Sequence, residues 1–413
     1  MMFLKKKESN VVVAVEAGTH KVVAAVAELT PDGTVVLLGV GEAKSNGIRK
    51  GEVIDFQLAN RSICDALLDA EEKTSAEIHE VYLSLTGTHI AARKVLIRTI
   101  IDDEDNLIAE DHLSELETLA QNQAIPRDHA ILLELLQHYY LDDGTVSDEP
   151  VGLNSKTLEA SYLLVHGLHT RLETSVRCVV EQDIHVKGYA LASYATAQAI
   201  LNKEQKKQGA VILDIGAGTS DYLVYVDGAV VHTGVVGVGG DHLTQDLSIG
   251  LKLPYQRAEE LKLSHGDLYL EGYPVNDQII LERDFNLDER TIYRESMTKI
   301  MYVRMRELFE IINTEFEEKE LWPQITDNVY LTGGCSNLKG VQRLANEVFC
   351  VRTKTAQCMT FEGDQTYNQR PELSTVLGLL MYAQHLELNK HQMSNWETLR
   401  KSLGDALAAI KMF

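Results

Sequence analysis

At 413 residues the chain is long enough for two or more packed domains, and its 45% apolar content is that of an ordinary globular protein. A formal charge of −22 argues against a nucleic-acid partner, because phosphate backbones reward concentrated Lys and Arg. Five cysteines without a C-x-x-C pair make a disulfide framework or zinc site an unpromising reading, and a cytoplasmic setting is expected. The opening "MMFLKKKESN" has too short an apolar stretch for a signal peptide, and no run of about eighteen apolar residues suggests a membrane span.

The first patterned segment is "VVVAVEAGTHKVVAAVAELTPDGTVVLLGV" (Val11–Val40). An apolar strand ends at Glu16, Gly18 and Thr19 make a turn, a second strand runs from Val22, and Pro31-Asp32-Gly33 turns into a third. Next come strand-like "VYLSL" (Val81–Leu85), "KVLIRTI" and "LEASYLLVHG", with a helix near Asp111–Asn122 whose apolar positions are Leu113, Leu116, Leu119 and Ala120. This stretch is acidic ("IDDEDN", "LDDGTVSDE"), which reads most simply as a solvated surface.

Roughly 200 residues after the first segment, "ILDIGAGTSDYLVYVDGAVV" (Ile212–Val231) repeats its order: Asp214, Gly216, Gly218, Thr219, strand, Asp227-Gly228 turn, strand. The Asp-Gly pairs suit hairpin turns needing positive φ. The glycines let successive backbone N–H groups face a bulky anion, and Thr19, Thr219 and Lys21 add donors and a cation. Glu16 and Asp214 repel phosphate but suit the outer shell of Mg²⁺, which keeps several waters. Two such loops facing each other would clamp the phosphate tail of a nucleotide; the alternative is a pair of hairpins with incidental glycines.

Helical patterns follow in "LTQDLSIGLKL" and "RAEELKLSH", then a long helix from Tyr293 to about Phe316. "NVYLTGGCSNLKGVQRLANEVF" (Asn328–Phe349) reads as a strand, a Gly333-Gly334 turn and an amphipathic helix, with Ser336 or Asn337 as cap. Such a motif suits close packing against adenosine; the alternative is an ordinary strand–turn–helix connection. At the C-terminal end Trp396, Leu399, Leu403, Leu407, Ile410 and Phe413 recur at steps of three and four, giving one apolar stripe. That stripe fits an interfacial membrane helix or a terminal helix docked on the core.

The chain resembles the FtsA family of the actin/sugar-kinase/seventy-kilodalton heat-shock ATPase superfamily. The resemblance runs from about Asn10 to Gln384 and rests on several motifs in order: "VEAGTHKVVAAV", "VYLSLTGTHI", "EPVGLNSKTLEASYLLVHG", "KEQKKQGAVILDIGAGTSD", "VGGDHLTQDLSIGL", "AEELKLSHG" and "TVLGLLMYA". It implies an α/β, actin-like (ribonuclease H-like) duplicated fold with two lobes around a nucleotide cleft and an inserted subdomain. Gly18, Thr19 and Lys21 would form the first phosphate loop; Asp214, Gly216, Gly218 and Thr219 the second. Gly239 and Gly240 would line the same cleft, with Gly333, Gly334 and Ser336 near adenosine, and Asp221 would be structural. The second loop reads G-A-G-T where the family has G-G-G-T, and "GGDH" replaces "GGNH", adding Asp241 near the cleft. Tyr302 stands where the family often has a ribose-reaching Glu.

The implied organisation is a basic tail (1–9), a first lobe (10–79, 168–207 and 371–388) and an insertion (80–167). A second lobe (208–240, 300–370), a small subdomain (241–299), a linker (389–395) and the amphipathic helix (396–413) complete it. The resemblance further implies self-assembly into filaments, late division proteins as partners of the insertion, and peripheral attachment to the cytoplasmic side of the inner membrane at the septum. The small subdomain would receive the FtsZ C-terminal tail, with Lys252, Arg257, Lys262 and Arg304 as cations for an acidic peptide. No catalytic residue is identified, so at most weak ATPase activity is expected. A PilM-like pilus adaptor and a small-molecule kinase are the competing readings.

Overall fold

The computed structural model describes residues 11–30, 32–102, 105–272, 274, 276–283, 289–359, 361–363 and 365–388. The expected basic tail, linker and amphipathic helix, with Trp396, Leu399, Leu403, Leu407, Ile410 and Phe413, lie outside these residues.

Two sheets carry the architecture. The first has the strand order 185–191, 80–85, 11–17, 21–29, 35–44, 362–363; the second has 229–236, 220–226, 210–215, 329–332, 353–355. In each, a strand with an acid as its last residue but one pairs antiparallel with the strand that follows it and parallel with one from far along the chain. Val11–Ala17 pairs with Lys21–Leu29 and with Glu80–Leu85; Ala210–Ile215 pairs with Ser220–Val226 and with Val329–Thr332. The parallel pairing sets Glu16 beside Ser84 and Asp214 beside Thr332. The two halves are therefore built on one plan, as the repeated sequence order predicts.

Near-continuous apolar strands arise because both sheet faces are covered. On the first sheet Val13, Val15, Val22, Ala24 and Val26 pack against Ala59, Ile63, Ala66 and Leu67 of helix Phe56–Thr74. The alternate residues, Val12, Ala14, Val23, Ala25 and Ala27, meet Val376, Leu377, Leu380 and Ala383 of the helix at 374–388. The second sheet buries Val211, Leu213, Ile215 and Tyr222 under Met305, Phe309, Ile312 and Phe316 of helix Arg294–Glu318. Its other face, through Ile212 and Leu223, joins the first lobe's cluster around Ala197, Ala199 and Ile200. Helix Ala192–Ile200 thus sits between the lobes, with Ala197, Ala199 and Ile200 in the cluster that Ile212 and Leu223 join.

The insertion is a sheet of four strands, ordered 91–100, 157–168, 129–141, 146–147, with helix Glu110–Gln121 on it. Val81–Leu85 pairs with the first lobe's central strand, so it is part of that lobe and not of the insertion, as the sequence boundary at residue 80 has it. Its alternation-free apolar run fits a fully buried parallel strand as well as an insertion strand, which is why the sequence alone misplaces it. The chain also returns to the first lobe earlier than residue 371, since Glu362–Gly363 pairs with Val36–Leu37. The Asp227-Gly228 turn has φ of 51° and 87°, as the hairpin chemistry predicts. The expected cap at Ser336 or Asn337 is not formed: those residues lie in the 3₁₀ turn Gly334–Asn337, and the helix begins at Val341 after Gly340.

Gly378 marks where the helix at 374–388 crosses helix Ala192–Ile200, because a methyl group there would run into the Ala195 carbonyl oxygen. Gly378→Ala is expected to destabilise the protein by about 1–3 kcal/mol through overpacking, read as a lower urea midpoint. An unchanged midpoint would contradict this crossing.

Candidate functional site

Between the lobes lies a cavity of about 860 Å³. Both acid-glycine turns open onto it: Glu16, Gly18, Thr19 and Lys21 from the first hairpin, and Asp214, Gly216, Gly218 and Thr219 from the second. Gly333, Gly334 and Gly240 line it as well. The two turns also touch each other. A side chain on Gly218 would meet the Thr19 hydroxyl and come within 3.0 Å of the Lys50 backbone nitrogen and Cα. Glycine is needed there for close approach and not for its dihedral freedom, since Gly218 is not among the positive-φ residues, nor is Ala217. The replacement of a family glycine by Ala217 therefore needs no strained backbone.

Gly239 and Ser336, expected in the cleft, do not line it. Gly239 sits tight behind the second turn, against the carbonyl oxygens of Gly216 and Ala217, and the next two backbone N–H groups donate to those carbonyls at 2.9 and 2.8 Å. The start of helix Gly240–Leu251 thereby fixes the turn from behind. The Ser336 hydroxyl is buried and donates to the Gly333 carbonyl at 2.7 Å, holding the Gly-Gly turn. Tyr302 is also absent from the lining; its hydroxyl faces Glu347 at 3.3 Å and accepts from Arg306 at 3.1 Å.

Carboxyl groups dominate the cleft floor. Burial pushes Glu16 up to about 8, with the neighbouring Asp214 charge adding to the rise and Lys21 opposing it. Asp214 rises to about 6 through burial, against hydroxyl donations from Thr375 at 2.9 Å and Thr196 at 3.3 Å. Asp221, read as structural, also lines the cleft; burial takes it to about 7 while the Thr86 hydroxyl donates to it. Asp241 reaches the cleft and is raised by burial, with Lys262 opposing. The Glu16 Oε2 atom is buried without a hydrogen-bond partner. Among the described residues no cluster of His, Cys, Asp and Glu converges to coordinate a metal directly.

Lys262 is a correction. Expected on the surface of the small subdomain, it is buried in the cleft wall, with its ammonium 2.7 Å from Glu259, 2.9 Å from the Thr244 hydroxyl and 3.0 Å from the Gly240 carbonyl. A peptide on the outer surface has no access to it. Arg304 is bidentate to Asp246 at 2.5 and 3.1 Å, and Arg257 is engaged by Glu260 at 2.7 Å and by the Glu282 carbonyl at 3.1 Å. Lys252 is exposed, in a left-handed conformation at the end of helix Gly240–Leu251.

Several cleft residues escape sequence reasoning. Thr196 and Thr375 reach Asp214 from 18 and 161 positions away, and Arg370 reaches Glu42 across 328. Nothing in their local spacing marks them, because each sits on a helix or turn whose pattern is explained by packing.

Solved structures share this architecture. A chain of the PilM–PilN type IV pilus biogenesis complex superposes with a TM-score of 0.63 at 14% identity, covering 90% of this chain and 98% of that one. MreB5 of Spiroplasma citri bound to ADP does so at 0.56 and 14%, covering 93% and 99%. The fold is therefore actin-like. A family model described as cell division protein FtsA matches residues 211–378. FtsA of Pseudomonas aeruginosa is 28% identical over 388 residues (94% of this chain, 93% of the relative), and FtsA of Escherichia coli K12 is 27% identical over 393 (94% and 93%). Along nearly its whole length the chain is similar to cell-division proteins of the FtsA family.

The raised Glu16 predicts a pH effect of definite sign. Native Glu16 keeps its proton up to about pH 8, while a carboxyl in the unfolded chain loses it near 4.5, so the native state binds more protons in between. Its contribution is fully present below 4.5 and is lost as pH rises through 8. Without nucleotide or divalent cation, Glu16→Gln should gain stability over the wild type between pH 5 and 8.5, by at least about 1.4 kcal/mol, the worth of one pKa unit. Parallel urea-unfolding curves across that range would show that Glu16 is not held protonated.

Proposed function

We propose that the cleft binds ATP or ADP with Mg²⁺, and that the nucleotide state governs assembly into filaments lying on the cytoplasmic face of the membrane, where they hold FtsZ at the septum. The observation that carries this reading is that two glycine turns from duplicated hairpins touch at Gly218 and Thr19 and open onto one cavity. The residues present suit the ligand. Backbone N–H groups at Thr19, Gly218 and Thr219 supply donors for phosphate oxygens, while that of Gly18 closes the hairpin on the Lys21 carbonyl at 3.1 Å; Lys21 supplies a cation, and Gly333 and Gly334 leave room for adenosine. Bound Mg²⁺ would neutralise phosphate charge. Glu16 and Asp214 suit it through water: Glu16 Oε2 has no partner of its own, and among the described residues no direct ligand cluster competes for the ion.

The tail supports membrane attachment through its sequence. Each large apolar side chain of the Trp396–Phe413 stripe contributes about 1.5–3 kcal/mol if fully buried, and less at an interface. Arg400, Lys401 and Lys411 barely exceed Glu397 and Asp405, and the net charge of −22 opposes anionic lipid. One tail therefore binds weakly, whereas a filament presenting many binds firmly through effective concentration. For the FtsZ tail, exposed Lys252 is the remaining cation of those expected, the other three being held by this chain's own groups. The same stripe separates this reading from that of a pilus adaptor, which needs none.

Gly218→Val and Asp214→Ala should each weaken Mg·ATP binding by about tenfold or more, the first by blocking the approach of the two turns and the second by removing a metal-side acid. Wild-type affinity in both, by calorimetry, defeats the cleft assignment. Deleting Trp396–Phe413 should abolish co-sedimentation with liposomes; unchanged sedimentation defeats the anchor.

A further inference from the structure

One charged cluster at the cleft is not accounted for by the phosphate turns themselves. Lys21, the cation of the first turn, is not free in this structure: its ammonium lies 2.8 Å from Glu42 Oε2. Glu42 is held in turn by Arg370, whose two terminal nitrogens donate to both carboxylate oxygens at 2.5 and 2.9 Å. The same Glu42 oxygen is therefore shared between Lys21 and Arg370. Arg370 also donates to Glu372 from Nε at 2.8 Å. All four side chains line the cavity.

We propose that Arg370 is a positioning residue for Lys21: by satisfying Glu42 with a bidentate pair, it lets Lys21 leave that carboxylate for an incoming polyphosphate without stranding a bare anion beside it. This inference rests on the nucleotide reading of the cleft.

The chemistry follows from which group can hold which. A planar guanidinium matches both oxygens of a carboxylate, whereas an ammonium is a point charge that swings on a flexible stem. Glu42 stays ionised throughout: burial pushes its carboxyl up, but the bonds from Arg370 and Lys21 outweigh burial and bring it down to about 2. If Arg370 were absent, Lys21 would be the sole partner of Glu42. Phosphate would then have to break that pair and face an unpaired carboxylate in the same pocket, and like charges there are costly.

The fold fixes Arg370 in place. It precedes the 3₁₀ turn Pro371–Leu373, whose Pro371 carbonyl accepts from the Gly333 backbone at 3.2 Å and from the Thr332 hydroxyl at 3.1 Å. Two residues further on, the Thr375 hydroxyl donates to Asp214. A short segment thus touches the first lobe through Glu42 and the second through Gly333 and Asp214.

The test is a double-mutant cycle on the full-length protein, titrating Mg·ATP into wild type, Arg370→Ala, Glu42→Gln and the double variant by calorimetry. Arg370→Ala should weaken binding by about tenfold, a figure below that of a fully buried pair because these side chains are a fifth to a third exposed. The double variant should recover to within about twofold of Glu42→Gln, because neutralising Glu42 removes what Arg370 offsets. A purely structural role for Arg370 predicts no such rescue. Wild-type affinity in Arg370→Ala, or a double variant as weak as Arg370→Ala, overturns the proposal while leaving the nucleotide site intact. Absence of Mg·ATP binding in the wild type itself overturns the nucleotide reading and this one together. Should Arg370→Ala melt below the assay temperature, Arg370→Lys, which keeps the charge but not the fork, should show a smaller loss with the same rescue by Glu42→Gln, and no loss overturns the proposal.

Discussion

The structure depends on the burial of carboxylates at the ends of two equivalent strands. Glu16 and Asp214 each close a strand that is covered on both faces, and each is carried into the interlobe cleft by its hairpin. Leaving an ionised carboxylate in such a place is expensive unless a cation or hydrogen-bond donors meet it. Asp214 has two threonine hydroxyls; Glu16 has an unpartnered oxygen. Without a ligand the cost is met by keeping Glu16 protonated up to about pH 8, and a ligand that supplies positive charge would be bound partly by letting that carboxyl ionise. Linkage then requires that such a ligand stabilise the folded chain.

The same cleft is also where the two lobes are joined. The second sheet shares one apolar cluster with the first lobe through Ala197, Ala199 and Ile200, while the segment from Arg370 to Thr375 touches acids or turns of both. A change at Asp214 is felt by Thr375 at the start of the helix at 374–388, and that helix covers the outer face of the first sheet. Packed interiors shift between discrete arrangements and do not deform smoothly, so on the proposed nucleotide reading ligand contacts at the turns would act on the angle between the lobes. No long-range wire is needed, only the shared helix and the strap at the cleft floor.

Much of this was legible in the sequence, and the boundary of legibility has a physical cause. The hairpins could be read because their information is local: an acid, a glycine turn and a strand lie within about ten residues, and the duplication repeats the order. Ends of elements such as Glu110–Gln121 and Arg294–Glu318 follow from apolar periodicity and were predicted within a residue or two. Lys262 was misread because a lysine in "AEELKLSH" looks solvated by pattern, and only the fold reveals that helix Tyr255–His265 turns it toward Glu259 and Gly240. Val81–Leu85 was misassigned because a short apolar run carries no sign of which sheet will claim it. Arg370 and Thr375 were missed for a third reason: their partners lie hundreds of positions away, or nearly so, and long-range pairing leaves no trace in spacing.

Charge connects the cleft with the surface. A chain of formal charge −22 approaches an anionic membrane and an anionic ligand at a disadvantage, and the same acids crowd the cleft. Local cations must therefore be kept where they count. Lys262 is withdrawn into the cleft wall beside Glu259, Arg304 is committed to Asp246, and Lys21 is parked on Glu42. Each positive charge is neutralised within the protein until a competing anion arrives, so affinity is governed less by how many cations line the site than by how easily each can change partners. An arginine fork that holds its carboxylate with two bonds is a poor candidate to move, whereas a lysine sharing one oxygen with that fork can leave at little cost. On the proposed nucleotide reading, a preference for a polyphosphate would follow from that asymmetry, since a ligand of high local charge could draw Lys21 away while the rest of the cluster stays paired.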